Sequence, residues 1–197
     1  MLEVLTGSGL AIAAGLNAYI PLLVLGLAGR FLDFVHLPPA WTWLSNEWVL
    51  VILAVLLVIE VIADKIPAVD SINDVIQTVV RPAAGGIAFG TGAGTTTAVV
   101  TDPARFFTSF AWVSVAIGVL LALATHATKA TARPALNAAT IGTAAPVVSA
   151  AEDLGSLALS IIAVLAPLLV LLAIALLVTA VVLLRRTARA KQAPTST

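Results

Sequence analysis

The sequence predicts an all-α fold, an integral membrane helical bundle of about five spans plus two re-entrant or interfacial helical segments. Of its 197 residues, 60% are hydrophobic and only 10% are charged, whereas a soluble domain carries about 25% charged residues. A soluble fold could not cover so much apolar surface. The formal net charge of zero gives no electrostatic reason to expect nucleic-acid binding. The absence of cysteine excludes disulfides and thiolate chemistry.

The first span is predicted over residues 7–30, which are long enough to cross about 30 Å of hydrocarbon at a rise of about 1.5 Å per residue. Pro21 removes the amide that would bond to the carbonyl of Asn17, so the helix should bend there. Two interpretations stay open: an ordinary kinked helix, or a broken helix that lines a cavity. Residues 31–48 follow as an aromatic-rich connection at the level of the lipid headgroups.

The most polar stretch of the chain begins where an aliphatic second span, residues 48–66, ends. Glu60 lies in the last part of this span. The next segment, residues 67–81, alternates Ile and Val with the polar residues Asn73, Asp74, Gln77 and Arg81. This spacing predicts an amphipathic helix with one polar face. The segment is too short to span, so we expect it to lie in the interface or to re-enter the membrane.

A glycine series marks the predicted third span, residues 83–101. Gly86, Gly90 and Gly94 form a GxxxGxxxG pattern, which lets a neighbouring helix approach closely in a membrane. We therefore expect this helix to pack at the centre, and a homo-oligomer could form through the same three glycines. A glycine-rich re-entrant loop is the alternative.

The remainder of the membrane domain has two more predicted spans. They are residues 107–127 and residues 155–184, the latter kinked at Pro167, with a polar segment over 128–154 between them. Segment 49–82 aligns with segment 113–146, placing Lys65 on Lys129, Asn73 on Asn137 and Pro82 on Pro146. Internal repeats of this kind are common in transporters.

The tail sets the predicted orientation. Residues 185–197 follow the membrane domain, residues 1–184, as a basic and disordered tail. Because basic segments favour the cytoplasmic side, we expect the C-terminus to be cytoplasmic. Counting back through five spans places the N-terminus and the polar segments 65–82 and 128–154 outside.

Several motifs resemble those of one known family. The motifs are ADKIPAVDSINDVIQTVVRPAAGG, HATKATARPALN, APVVSAAEDLGS and the opening GLNAYIPLLVLGL. They resemble a family of small bacterial multi-spanning membrane proteins catalogued as a domain of unknown function. The resemblance implies a bacterial cytoplasmic membrane and no particular activity. Glu60, Asp64 and Lys65 also resemble the E-x-G-D-[KR]-[ST] signature of cation exchangers, but the two acids are one residue further apart and Ile66 replaces the hydroxyl.

The candidate site is centred on two acids. Glu60 and Asp64 are four residues apart, so both carboxylates lie on one helix face. In a low-dielectric setting they need a compensating cation. The candidate binding residues are Asn17, Glu60, Asp64, Lys65, Asn73, Asp74, Arg81, His126, Lys129, Arg133 and Asn137. We predict no catalytic residues, no metal site and no cofactor, because neither a G-x-S-x-G elbow nor an H-E-x-x-H motif is present.

Two functions from different classes fit these patterns. The first is a transporter or channel-like protein for a small solute, an ion or a lipid headgroup, whose site lies between segments 60–82 and 126–153. The second is a non-transporting membrane scaffold that assembles through the glycine series. An enzyme is not expected, and membrane lipids are the expected partners.

Overall fold

A computed structural model describes residues 2–64, 67–93, 111–140 and 145–176, together with 178, 179 and 182. Within these ranges it describes every side chain except those of residues 67–72, 74, 111 and 133–139. The described residues form helices and no strand, which confirms the all-α prediction. The basic tail lies outside them.

The described fold consists of six α-helices, one 3₁₀ helix and a further helical stretch after the last of these α-helices. The seven helices are α1 (Leu2–Leu16), α2 (Tyr19–Phe31), the 3₁₀ helix (Pro39–Ser45), α3 (Glu47–Ala63), α4 (Pro67–Gly92), α5 (Ala111–Thr140) and α6 (Ala145–Leu165). Helix α6 ends before a turn at Ala166 and Pro167, and residues 168–176 are helical again. The predicted interruption at Pro167 is therefore present.

Two described helices are long and apolar enough to cross a membrane. They are Trp112–Ala132 within α5 and the whole of α6, Ala145–Leu165. A third candidate span results if the 3₁₀ helix and α3, which are bent by 64° to each other, count together. Helices α1 and α2 are apolar but shorter. The count of five spans stays a prediction.

The first predicted span is broken into two helices rather than bent. Helix α1 ends at Leu16 and α2 begins at Tyr19. The Asn17 side-chain oxygen accepts bonds from the backbone amides of Tyr19, at 3.0 Å, and Ile20, at 3.2 Å. Because these amides would otherwise be unpaired at a buried helix start, Asn17 stabilises the break.

Two helices extend beyond their predicted boundaries. Helix α4 continues through Pro82, joining the predicted interfacial helix to the predicted third span. Arg81 and Ala84 are buried on either side of Pro82, so packing outweighs the hydrogen bond that proline removes from the helix. Helix α5 likewise continues from the predicted fourth span into the polar segment. The division into spans and separate polar helices at residues 82 and 127 was therefore wrong.

The repeat is not confirmed. In the first copy the chain turns after Ala63, and the next helix begins at Pro67. The aligned residues of the second copy, 127–131, lie inside the continuous helix α5. The two segments therefore differ at the turn that should define their shared architecture.

Helices α1, α4 and α5 form the core and approach one another through glycines. A Cβ atom added to Gly85 would overlap Ala122 and lie 2.7 Å from the carbonyl oxygen of Gly118. A Cβ added to Gly15 would lie 2.5 Å from the Ala122 carbonyl oxygen. These backbone approaches leave no room for a larger residue and hold three helices around the polar side chains described below.

Two of the three glycines in the predicted series pack against neighbouring elements of the same chain. A Cβ atom on Gly86 would lie 2.9 Å from Val115, and one on Gly90 would lie 3.1 Å from the Trp41 ring. Both glycines are buried within the chain, and Gly94 lies outside the described residues. Gly86 and Gly90 therefore pack inside one copy.

Candidate functional site

A buried ion pair joins α3 to α4. The Arg81 guanidinium donates to the Glu60 carboxylate, with Nη2 and Oε1 2.9 Å apart. The two side chains are 0% and 1% exposed. An ion this deeply buried is costly without a partner, so the pair fixes how the end of α3 meets the middle of α4.

The same guanidinium reaches α5 through a histidine. Arg81 Nη1 lies 3.2 Å from Nδ1 of His126, and His126 Nε2 lies 3.2 Å from the Thr78 hydroxyl. Because a guanidinium can only donate, Nδ1 must accept. In the tautomer that accepts from Arg81, the Nε2–H group is directed at the Thr78 hydroxyl.

Asp64 extends the polar contacts one helical turn beyond Glu60. One carboxylate oxygen accepts from the Asn73 amide at 2.7 Å, and the other accepts from the Ser149 hydroxyl at 3.2 Å. The second oxygen also lies 3.9 Å from Nζ of Lys129. Asp64 thus contacts α4, α5 and α6 from the end of α3.

Lys129 links three further groups. Its ammonium lies 2.7 Å from Oε2 of Glu152 on α6 and donates to the carbonyl oxygen of Leu16 at 3.3 Å. Leu16 is the last residue of α1, where carbonyls are left without helical partners. The Lys129 side chain is 2% exposed, so its charge is compensated by Glu152 and Asp64 rather than by solvent.

The break in the first span contributes one more link. The Asn17 amide donates to Oδ1 of Asp153 at 2.9 Å. Nearby, the buried Ser156 hydroxyl donates to the carbonyl oxygen of Ala13 at 2.9 Å. Helix α6 is therefore attached to α1 through Ala13 and to the break between α1 and α2 through Asn17.

These contacts fall into three neighbouring groups, which are together called the central polar network here: one around the Arg81–Glu60 pair, one around Asp64 and Lys129, and the Asn17–Asp153 bond. Its members are Asn17, Glu60, Asp64, Asn73, Thr78, Arg81, His126, Lys129, Ser149, Glu152 and Asp153. Among the described side chains it has four carboxylates against two cations, Arg81 and Lys129. In the described part of the network, acidic side chains therefore outnumber the guanidinium and ammonium groups by two.

Three buried polar atoms beside Glu60 have no hydrogen-bond partner among the described residues. They are Oε2 of Glu60, Oε1 of Gln77 and Nε of Arg81. Buried polar atoms are normally paired with protein or water. Trp41 Nε1 is a fourth such atom, but it lies against Gly90 and not in the network.

The structure brings together seven of the eleven predicted site residues. These are Asn17, Glu60, Asp64, Asn73, Arg81, His126 and Lys129. The side chains of the other four, Lys65, Asp74, Arg133 and Asn137, lie outside the described part of the structure.

The candidate binding residues predicted from the sequence do not include four members of the network: Thr78, Ser149, Glu152 and Asp153. Ser149, Glu152, Ser156 and Ser160 recur on one side of the otherwise apolar helix α6. This stripe of polar residues is the sequence pattern that indicates a polar face on α6.

The network does not have the geometry of a metal site. Within the described ranges, no group of three or more His, Asp or Glu side chains is arranged so that it could hold a metal ion. Arg81 and Lys129 take the positions next to the carboxylates that a metal would occupy.

Together, the apolar helices and the buried charges between them define a class: an all-helical protein compatible with a membrane, with polar side chains enclosed by its core. The chain belongs to the family described as Domain of unknown function (DUF4126), whose model matches residues 4–186. This match confirms the family predicted from the sequence. No curated protein and no solved structure matches the chain.

Proposed function

We propose that the protein is an integral membrane transporter or channel-like protein for a small cation, and that the central polar network is its ion site. The observation that carries the proposal is the network itself, which joins buried charges from α3, α4 and α5 to α6. Charged side chains at membrane depth are expensive and usually mark ion pathways or relays. A structural role alone would be served as well by apolar residues of similar size.

The charge balance supports a cation over an anion. The described part of the network has more carboxylates than cations, so a positive ligand would reduce its electrostatic cost. An anion would have to approach Glu60, Asp64, Glu152 and Asp153 together. The same balance argues against a phosphate-bearing lipid headgroup as the ligand.

The break between α1 and α2 supports a pathway at this place. Discontinuous helices at the binding site are a feature of several transporter folds, where the ends of half-helices face the ligand. Here the carbonyl of Leu16 contacts Lys129, and the start of α2 lies beside Asn17. Both ends therefore border the network.

The location and orientation belong to the proposal. A bacterial cytoplasmic membrane follows from the family resemblance, and a cytoplasmic C-terminus follows from the basic tail. The scaffold alternative is favoured by one observation, the extensive internal pairing of the charged side chains. A scaffold would need to assemble through a surface other than Gly86 and Gly90, because other residues of the same chain cover these two glycines.

Ion flux in proteoliposomes tests the proposal. We expect potential-driven uptake of H⁺, Na⁺ or K⁺ by the wild type and its loss in Glu60→Gln. Glu47→Gln is the matched control, because Glu47 lies on the same helix with 74% of its side chain exposed. If liposomes with Glu60→Gln, liposomes with Glu47→Gln and liposomes without protein all give the same ion flux, the proposal is contradicted.

A further inference from the structure

The three unpartnered atoms belong to the Arg81–Glu60 ion pair and to Gln77, which neighbours Arg81 on α4. Glu60 Oε1 is bonded to Arg81 Nη2, so Glu60 Oε2 and Arg81 Nε lie on the same ion pair. Gln77 precedes Arg81 by one helical turn and lies on the same face of α4. Gln77 and Arg81 are 2% and 0% exposed. The Tyr19 hydroxyl from the start of α2 lies beside Gln77.

The hydrogen-bonding needs of these atoms define their ligand. Glu60 Oε2 and Gln77 Oε1 need donors, and the Arg81 Nε–H group needs an acceptor. A metal ion or an ammonium group cannot accept from Arg81. A carboxylate or a fully ionised phosphate cannot donate to Glu60. A water molecule has two donor hydrogens and free lone pairs, so it offers the donors and the acceptor that these atoms need, and it still does if the Gln77 amide is turned over.

We infer that Glu60, Gln77 and Arg81 hold a water molecule through which protons reach Glu60, so that the transported or coupling ion is the proton. This inference rests on the proposed function and names its ion. In the step it implies, a hydronium ion gives one proton to Glu60 Oε2, leaving water and a neutral carboxylic acid. Arg81 then loses its carboxylate partner and keeps His126.

The surroundings of Glu60 fit this role. The charged and titratable groups that face it are Arg81, Asp64, Lys129 and Tyr19. Two of them, Arg81 and Lys129, are cations. Protonation of Glu60 therefore removes a negative charge at the contact of α3 with α4. The loss of this charge weakens the contact and couples the proton to movement of the two helices.

The water site is tested by nuclear magnetic resonance on the full chain in detergent micelles, labelled with ¹⁵N-arginine. A rotating-frame experiment that separates dipolar contact from exchange should give a dipolar cross-peak between water and Nε–H of Arg81. The same peak should weaken in Gln77→Met, which keeps the side-chain size but removes the polar atoms. Thr91→Val is the control, since Thr91 is buried on α4 but bonds to its own helix at Ile87. Absence of the peak in the wild type overturns the site.

The proton route is tested by flux in liposomes containing a pH-sensitive dye. We expect proton flux in the wild type and in Thr91→Val, and a fall of at least about tenfold in Gln77→Met, because the water loses one of its three partners. Proton flux that is unchanged in Gln77→Met, or absent in the wild type, overturns the route. Parallel Na⁺ and K⁺ measurements separate the two proposals: if either ion moves without protons, the ion-transport proposal stands and the proton inference fails.

Discussion

Arg81 and Glu60 form a 2.9 Å ion pair whose side chains are 0% and 1% exposed. The pair joins the end of α3 to the middle of α4, one residue before Pro82. Burying two charges costs several kcal/mol per ion before their attraction is counted. The docking of these helices therefore depends on both partners being present.

Removing one partner of this pair should be worse than removing both. We expect Arg81→Met to lower the free energy of unfolding by about 3–5 kcal/mol, because Glu60 is left buried and uncompensated. Adding Glu60→Gln should restore most of that loss. Thermal unfolding in detergent provides the measurement.

The exposed pair Arg30–Glu47 is the control for that comparison. Its atoms are 3.6 Å apart, and the side chains are 38% and 74% exposed. Arg30→Met should therefore cost no more than about 1 kcal/mol. Similar losses at Arg30 and Arg81 would mean that the Arg81–Glu60 pair does not hold α3 against α4.

The contribution of Lys129 to stability should depend more on Glu152 than on Glu60. We expect Lys129→Met to destabilise the protein strongly, because Glu152 and Asp64 both lose their nearest described cation. Adding Glu152→Gln should recover more stability than adding Glu60→Gln, since Glu60 retains Arg81. A double-mutant cycle measures the two couplings. A larger coupling of Lys129 to Glu60 would contradict the pairing.

The contact of α4 with α5 should not tolerate a side chain at Gly85. Gly85→Ala places a Cβ against Ala122 and the backbone of Gly118, and overpacking of this kind costs about 1–3 kcal/mol. Gly155→Ala is the matched helical control, because its Cβ would meet only a Leu16 methyl at 3.7 Å. It should be neutral or should stabilise by about 0.5–1 kcal/mol. Equal melting temperatures for the two variants would contradict the close approach.

Orientation can be tested cleanly because the chain has no cysteine. A cysteine introduced at Ala190 in the basic tail should react only from the cytoplasm, and one at Ala68 only from the outside. Labelling of intact cells and inverted vesicles with an impermeant reagent makes the comparison. Reaction of both positions from the same side would exclude the proposed topology.

Much of the site could be predicted because its spacing is local. Glu60 and Asp64 share a face of α3, and Asn73, Gln77 and Arg81 recur every four residues on α4; both patterns depend only on helix geometry. The partners could not be predicted in the same way. Whether Arg81 meets Glu60, or Lys129 meets Glu152, depends on how the helices are rotated against one another.

The glycines show how strongly the contacts between helices depend on that rotation. The GxxxGxxxG pattern predicted close packing through Gly86 and Gly90, and Gly86 does approach α5, but the closest backbone approach to α5 is one residue earlier, at Gly85. One residue along an α-helix corresponds to a rotation of about 100°. Similarly, Pro82 predicted a helix boundary, and burial of its neighbours on both sides carried the helix through it.

The central claim is that water-borne ions reach the buried network. Ser149 and Ser160 are both buried on α6, but Ser149 bonds to Asp64 in the network while Ser160 bonds to its own helix at Ser156. The most direct measurement is the reaction of Ser149→Cys and Ser160→Cys with a small hydrophilic thiol reagent in membranes. The account predicts that Ser149→Cys reacts, that the transported ion slows the reaction, and that Ser160→Cys stays unreactive. If both cysteines are equally unreactive under all ionic conditions, the network is a sealed structural element and the claim is wrong.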